Sequence, residues 1–505
     1  MKERVVIHQG SYHDSAFLMR VSRGLSGLDG VFEAVVLMGT PLNRKLLQDA
    51  GFSGPQVEGA TPMDLMVGIR AADDRVCAAA EKELMKLLQA GPSARAQEDT
   101  PHVSIFAAIE GQPGANLVSV AVPGPYAAYV ANRALDLGRH VFLFSDNVAV
   151  EDELQLKKRA RELGLLVMGP DCGTAILAGV GLGFANQVRR GRIGLVGASG
   201  TGIQEITCQV HALGEGISQA IGVGSADLSG QVGGLMTEFG LELLAADPAT
   251  EVIVLVAKHP DPQVAERLEQ KIGGLEKPVV VRYLGQMAGR HDSAPIYTDS
   301  LDEAACRAVE LCRGEKPDDP FAGLEADARK LLGARNTATG RLVGLFGGGS
   351  LAAEAALVLK ATSLDHPLGM EGQAVEGSGD LLLDTGEDFY TVGKPHPMVD
   401  QTVRCELIGK VCSDPQVGLL LFDLVLGHGA HPDPAVELAE AIDTARKGRR
   451  DEPLDVIASL TGTDLDPQDA NRQRGLLEAA GVHVQPSAAR AARLAALLKG
   501  GDHDS

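Results

Sequence analysis

Apolar positions along the chain fall into short runs and helical-period stretches that alternate. Residues 5–8 and 32–39 read as strands, with an apolar-periodic helix over 15–28 between them. A short helix near 43–50, a strand near 65–69, a helix over 76–88 and a strand near 103–109 follow. Two small βαβ-like repeats of this kind predict a ferredoxin-like or similar sandwich. Residues 91–101, rich in Gly, Pro, Ser, Ala and charge, read as a loop. From residue 115 the alternation is regular, with strands at 117–122, 140–144, 165–168, 193–196, 218–223, 251–256 and 278–283 and helices between them. Strands alternating with helices predict a parallel, doubly wound topology. Residues 313–341 read as a linker, because Lys316-Pro317-Asp318-Asp319-Pro320 and Asn336-Thr337-Ala338-Thr339-Gly340 flank a short helical piece. Beyond it come a strand at 341–346, a glycine-rich turn, a helix through 360, a buried strand at 417–426 and two further βα pairs with strands at 455–460 and 482–484.

The fold class expected is α/β: tandem doubly wound, mostly parallel (Rossmann-like/flavodoxin-like) domains with a small N-terminal α+β domain. The expected divisions are 1–112 for the N-terminal α+β domain, 113–190 for a Rossmann-type domain and 191–315 for a flavodoxin-type domain. A linker at 316–340, a second α/β domain at 341–498 and a disordered tail at 499–505 complete the chain.

Composition narrows the function classes. With 505 residues, 45% hydrophobic, 22% charged and 61 glycines, the chain can bury several cores and is not a disordered protein. Aromatics are only 4% and Trp is absent, so base-stacking platforms are not expected. A formal charge of −21 opposes a polyanionic partner, which excludes nucleic acid and leaves small anions bound at local positive ends. Seven cysteines, with no C-x-x-C pair and no zinc spacing, fit reduced thiols in a cytoplasm and no bound metal. The longest apolar run, 417–426, is broken by Asp423 and too short to span a bilayer, so a cytoplasmic protein without a membrane partner is expected.

Candidate chemistry gathers at strand ends. The stretch G-R-I-G-L-V-G-A-S-G-T-G-I-Q-E at 191–205 is a strand, a glycine-rich turn and a helical start. Such a turn presents unsatisfied N–H groups and the positive end of a helix dipole, and Ser199, Gly200, Thr201 and Gly202 are suited to phosphate oxygens. No Lys follows the glycines, so the nucleoside-triphosphate cradle is absent. Tight geometry alone also produces such turns, and residue types leave both readings open. Gly347, Gly348, Gly349 and Ser350 repeat the arrangement, and there too the glycines can serve close helix–strand packing. If the two domains face each other, two helix N-termini would converge on one phosphate-sized anion.

Gly169, Pro170, Asp171, Cys172 and Gly173 form a loop at a strand's carboxyl end, where ligands sit in open α/β sheets. Cys172 reads either as a reactive thiol or as an inert buried one. His428 and His431, in H-G-A-H, suit substrate contact or loop hydrogen bonding better than metal. His291, in Gly289-Arg290-His291-Asp292, reads as a nucleophile or base, or as a solvated loop residue.

In order along the chain, these motifs resemble the succinyl-CoA synthetase superfamily of nucleoside-diphosphate-forming acyl-CoA ligases, and most closely its FdrA branch. Val122-Pro123-Gly124-Pro125 resembles the V-P-x-P turn of the alpha subunit's CoA-binding domain, and Met168-Gly169-Pro170-Asp171-Cys172-Gly173 its I-G-P-N-C-P-G loop. Gly191 to Val196 with Ser199-Gly200-Thr201 is similar to the G-R-I-G-I-V…S-G-T turn, whose helix start holds phosphate in that family. Phe346-Gly347-Gly348-Gly349-Ser350-Leu351-Ala352 is similar to the N-G-A-G-L-A turn of the beta subunit's ligase domain. Tyr12-His13-Asp14-Ser15 and Val36-Leu37-Met38-Gly39-Thr40 resemble FdrA proteins specifically. The resemblance implies a CoA-binding-like domain at 113–190 and ligase-like domains at 191–315 and 341–498.

Departures shape the chemistry it implies. The first CoA-binding turn, G-x-x-G-x-x-G, is missing, so the resemblance allows CoA without requiring it. The family's phosphorylated histidine lies in G-H-A-G-A, whereas the comparable region here reads Ala288-Gly289-Arg290-His291-Asp292. No stretch reads as an ATP-grasp domain. FdrA relatives are associated with oxamate carbamoyltransferase, a multi-subunit system in which oxalurate and phosphate give oxamate and carbamoyl phosphate. The expectation is therefore an acyl-CoA synthetase-like subunit for phosphate-dependent acyl or carbamoyl transfer, with phosphate and a small acyl or carbamoyl substrate as ligands and other protein subunits as partners. The alternatives are an acyl-CoA ligase acting through a phosphohistidine at His291, and a non-catalytic sensing or assembly subunit.

Overall fold

The computed structural model describes residues 2–11, 13, 15–90, 104–258, 260–284, 295–333, 335, 338, 340–359, 379–391, 394–449 and 453–500. They fall into two compact units, Met1–Pro101 with Thr391–Pro395, and His102–Tyr390 with His396–Ser505.

In the first unit three antiparallel strands lie in the order Lys2–His8, Leu65–Ala71, Val31–Met38. The first and last run parallel with the third strand between them, so one of the two expected βαβ-like repeats is present, in split form. Leu18, Val21 and Leu25, spaced three and four apart on the helix Ser15–Ser26, bury against one face with Ala80 and Leu84 of the helix Asp74–Ala90. Leu47, Phe52 and Val57 cover the other face. The strand expected near 103–109 is instead a helix, Ile105–Gly111. Ser104 caps it by accepting from Ala107 N at 3.2 Å, and the Ala107-Ala108 pair favours helix over strand.

Among the described residues, three sheets form the second unit. Leu117–Val120, His140–Leu143 and Val167–Met168 make a short parallel sheet. A seven-stranded sheet runs Ile296–Tyr297, Val279–Leu284, Val252–Lys258, Arg190–Gly197, Ile217–Gly222, Thr174–Leu177, Val180–Gly183. Its first five members are parallel, in the 2-1-3-4-5 order of flavodoxin-like folds. The last two are an antiparallel hairpin that the hydrophobic pattern does not foretell. The five-stranded sheet repeats the same order: Leu381–Asp384, Arg341–Phe346, Val417–Val425, Asp455–Thr461, His483–Gln485, all parallel. All nine residues of Val417–Val425 are buried, as a strand covered on both faces by helices requires.

Buried polar contacts fix how these sheets meet. Lys157, fully buried, donates to Glu153 Oε1 at 2.6 Å, Asp227 Oδ1 at 2.8 Å and the Val223 carbonyl at 2.8 Å. That saturates its three protons and ties the helix Val150–Leu163 to the loop after Ile217–Gly222. Asn186 Nδ2 donates to the Leu426 carbonyl at 3.0 Å and Asp466 Oδ2 at 2.8 Å, stitching the larger sheets' domains together. Between those domains, Arg282 Nη2 donates to Glu354 Oε2 at 2.6 Å, while Glu205 and Asp302 are buried beside them. The stretch read as a linker is packed: Arg490 donates to the Pro320 and Ala322 carbonyls, and the Arg493 guanidinium lies 3.6 Å from the Phe321 ring centroid.

Candidate functional site

In a 2-1-3-4-5 sheet the chain leaves strands 1 and 3 in opposite directions, which opens a crevice at their carboxyl ends. The second unit has two such switch points. In the seven-stranded sheet it lies between Arg190–Gly197 and Val252–Lys258, so the turn at 197–202 and Lys258 flank it. In the five-stranded sheet it lies between Arg341–Phe346 and Val417–Val425, so the turn at 347–350 and Asp423 flank it.

These two turns meet. Ser199 Oγ lies 2.6 Å from Ser350 Oγ, and a Cβ added at Gly348 would stand 2.9–3.1 Å from the Thr201 side chain. Ser199 caps the helix Gly200–Ala212 by accepting from Gly202 N at 3.0 Å, and Ser350 is the second residue of the helix Gly349–Leu359. Glu205 and Glu354, each the sixth residue of its helix, interact electrostatically. The first turns of the two helices thus lie against each other at Ser199 and Ser350.

The second turn is already partly engaged. Gly347 N and Gly348 N donate to Asp423 Oδ1 at 2.7 Å and Oδ2 at 2.8 Å, and Arg404 Nη1 holds the same carboxylate at 2.7 Å. Two of the amides read as phosphate donors therefore hold an internal carboxylate, which leaves an outside anion to Gly349, Ser350 and the turn at 199–202. The Asp that interrupts the apolar run at 417–426 is the sequence signal for this arrangement.

Phe184 joins the remaining loops to this place. Its N–H donates to the Gly173 carbonyl at 2.8 Å, its carbonyl accepts from Thr174 Oγ1 at 2.7 Å, and a Cβ at Gly429 would stand 3.1 Å from its ring. His428 N donates to the Ala185 carbonyl at 2.8 Å, and a Cβ at Gly200 would stand 3.3 Å from Thr174 Oγ1. Residues 169–174, 199–202, 347–350 and 427–431 are therefore neighbours around 183–187.

Within that group the residues differ. Pro170 follows a cis bond and is buried, whereas Asp171 is exposed with φ 56°. Burial pushes the Cys172 thiol up to about 12, so the inert reading of that residue is the physical one. His431 accepts from Asp433 N at 3.0 Å through Nδ1 and has Glu437 Oε1 3.4 Å from Nε2, so both its nitrogens serve its own loop. His428 is exposed. His291 lies outside the described residues.

Sequence reasoning missed two residues here. Asp384, at the end of Leu381–Asp384, accepts from Gly386 N at 2.9 Å, and a Cβ at Gly349 would overlap its Oδ2. Burial pushes its carboxyl up to about 6, against Gly386 N–H and the positive charge of Lys258. His396 packs 6.1 Å from the Phe184 ring, and burial, aided by Arg404, pushes it down to about 4. Neither sits in a recognisable motif. The legible signals were an acidic residue closing the apolar run 381–384 and a histidine between two prolines at 395–397.

Comparison with known proteins follows the same lines. Residues 345–498 match the CoA-ligase family, and residues 1–103 match a domain described as AllF, heavy metal-associated domain. The uncharacterized protein YahF of Escherichia coli K12 is 37% identical over 515 aligned residues, covering 98% of this chain and 98% of YahF. The chain belongs to the FdrA-like family of acyl-CoA synthetase-like proteins. A succinate–CoA ligase [ADP-forming] alpha-2 subunit from Trichomonas vaginalis is 31% identical over 181 residues, which is 34% of the FdrA-like chain and 57% of the ligase subunit. The FdrA-like chain thus spans just over half of that subunit. The dinucleotide forming acetyl-coenzyme A synthetase 1 of Ca. Korarchaeum cryptofilum superposes with a TM-score of 0.29 at 17% identity, over 76% of this chain and 82% of its own.

Among the described residues no group of three or more His, Cys, Asp or Glu could hold a metal ion, and Cys77, the cysteine of the first unit, is wholly buried. At the turn 122–125, Gly124 packs so closely on the Asp146 and Asn147 carbonyls that a Cβ there would collide with them. Among the described residues no helix is long and apolar enough to cross a membrane.

Proposed function

We propose that this chain is the FdrA-type subunit of a hetero-oligomeric enzyme for phosphate-dependent acyl or carbamoyl transfer, with oxalurate and phosphate giving oxamate and carbamoyl phosphate as the specific reaction. The observation that carries the proposal is the meeting of two helix starts at Ser199 and Ser350, beside the loops at strand ends. Each helix terminus contributes roughly 0.3–2 kcal/mol toward an anion, and two aimed at one point suit a dianion better than one. Phosphate would sit against Gly200, Thr201 and Gly202, with the Ser199 and Ser350 hydroxyls turning toward its oxygens. Lys258, exposed at the end of its strand, adds positive charge to this mouth in a chain that is otherwise strongly acidic. Residues 169–173 and 427–431 would line the substrate side. Preorganised dipoles aimed at the charge of the transferring group would supply most of the rate enhancement, and no nucleotide is needed.

Co-purification of the native assembly tests this. Oxalurate plus phosphate should release carbamoyl phosphate without nucleotide. An assembly that is silent with oxalurate and phosphate but consumes ATP when given an acid and CoA would instead make the chain part of an acyl-CoA ligase.

A further inference from the structure

A cleft of about 340 Å³ lies between the helices Leu324–Leu332 and Ala488–Leu498, and none of its lining residues belongs to the loops gathered around 183–187. Phe321, Leu324 and Leu497 supply its apolar lining, and Arg493, Arg329 and Glu325 are its charged groups. The Arg493 guanidinium lies over the Phe321 ring, 3.6 Å from its centroid, which holds the plane of its N–H donors. Packing on the ring uses one face of the guanidinium. Among the described residues its in-plane donors have no hydrogen-bond or ion-pair partner. Arg490, one turn earlier, is fully engaged: it donates to the Pro320 carbonyl at 2.6 Å, the Ala322 carbonyl at 3.0 Å and Gln485 Oε1 at 2.9 Å. Arg490 therefore already ties this helix to 320–322, and the fork of Arg493 is left for an acceptor from outside the chain.

We propose that this cleft binds a small monocarboxylate with an apolar body. A carboxylate accepts two parallel N–H···O bonds from a guanidinium held in one plane, and the stacked Arg493 is already in that state. The lining carries two positive charges, Arg329 and Arg493, against one negative, Glu325. The net positive charge matches one carboxylate, in a chain that is otherwise strongly acidic. Glu325 repels a second carboxylate, so a dicarboxylate is disfavoured. Buried Asp302 feels the charge of Arg493 without bonding to it, and leaves the fork open. Phe321, Leu324 and Leu497 would take the carbon chain of the ligand out of water. The volume stands at the small end of the range for ligand sites, about 300–1,000 Å³, which suits a short acid better than a nucleotide. This ligand is additional to the phosphate and the acyl or carbamoyl substrate, because the cleft shares no residue with 169–173, 199–202, 347–350 or 427–431.

Calorimetric titration of the full-length chain at pH 7 with hexanoate, hexanamide and adipate tests the proposal. Hexanoate should bind saturably at one site with a Kd of about 1 mM or tighter. Hexanamide, which keeps the chain and loses the charge, should bind at least about tenfold more weakly, and so should adipate. Arg493→Gln should weaken hexanoate at least about tenfold, and Arg493→Lys, which keeps the charge and loses the fork, by about threefold or more. Glu325→Gln should tighten adipate more than hexanoate. Ala326→Phe, at an exposed position of the lining, should block hexanoate while leaving the cation in place, and it decides the matter if Arg493→Gln fails to fold. No saturable hexanoate binding by the natural chain up to about 20 mM overturns the proposal. Hexanamide binding as tightly as hexanoate overturns it as well, and so does unchanged hexanoate affinity in a folded Arg493→Gln or Ala326→Phe chain.

Discussion

Replacing Asp302 by Asn should make the second unit more stable at pH 8 and less stable at pH 4. Asp302 lies between the two larger domains with Glu205, Glu354 and Arg282, all at most 2% exposed. Arg282 pairs with Glu354, and Glu354 Oε1 also accepts from Leu301 N at 2.7 Å. Burial, followed in effect by the nearby Glu354, pushes Asp302 from 3.8 to about 7 against the Ser487 hydrogen bond, and burial pushes Glu205 well above its ordinary value. Asp302 Oδ2 and Glu205 Oε1 have no hydrogen-bond partner.

The sign follows from proton linkage. Below about pH 3.8 the folded and unfolded chains both carry the Asp302 proton, and the site costs nothing. Between 3.8 and 7 the unfolded chain has released its proton while the folded chain keeps it, so stability falls as pH rises. At about 1.4 kcal/mol per pH unit over roughly three pH units, the loss reaches about 4 kcal/mol near neutrality. Asn cannot ionise and escapes that loss, but its amide N–H₂ replaces the partnerless oxygen and costs about 1–3 kcal/mol if left unsatisfied. The net gain at pH 8 is therefore about 1–3 kcal/mol, turning into a net loss of similar size at pH 4. Urea unfolding of the full chain at both pH values measures the difference. A stability difference between Asn and Asp that is the same at pH 4 and pH 8 would show that Asp302 does not hold a proton in the folded protein.

Three other outcomes follow from the same structure. Lys157→Met leaves Glu153 and Asp227 buried without their cation, and should cost about 3–5 kcal/mol in urea unfolding; an unchanged midpoint would remove the triad as the clamp between these layers. Gly348→Ala puts a methyl against Thr201 and should cost roughly 1–3 kcal/mol, with weaker binding of inorganic phosphate by calorimetry; Thr201→Ala in the same chain should recover part of the stability. In the native protein Cys172 should resist iodoacetamide at pH 8 and become alkylated only after denaturation, as peptide mass spectrometry would show.

Local pattern was enough for much of this chain. Strands such as Arg341–Phe346 and Val417–Val425 announce themselves as apolar runs, because a strand covered on both faces buries every side chain. Glycine-rich turns at 197–202 and 347–350, and the order of the surrounding motifs, carried the family. The pattern failed where a short apolar run admits two conformations, as at 105–109, where the Ser104 cap and paired alanines decide for helix. It was silent about the hairpin Thr174–Leu177 and Val180–Gly183, whose first strand joins the sheet by pairing with Ile217–Gly222 and whose second pairs with the first. Only tertiary structure decided the site. Periodicity reports which side of one element is buried, whereas the contact of Ser199 with Ser350 spans 151 positions and depends on how two sheets dock. Packing within the five-stranded sheet's own domain makes Asp423 the occupant of the second turn. No spacing along the chain encodes those distances, because each is set by packing between elements whose separation in sequence is arbitrary.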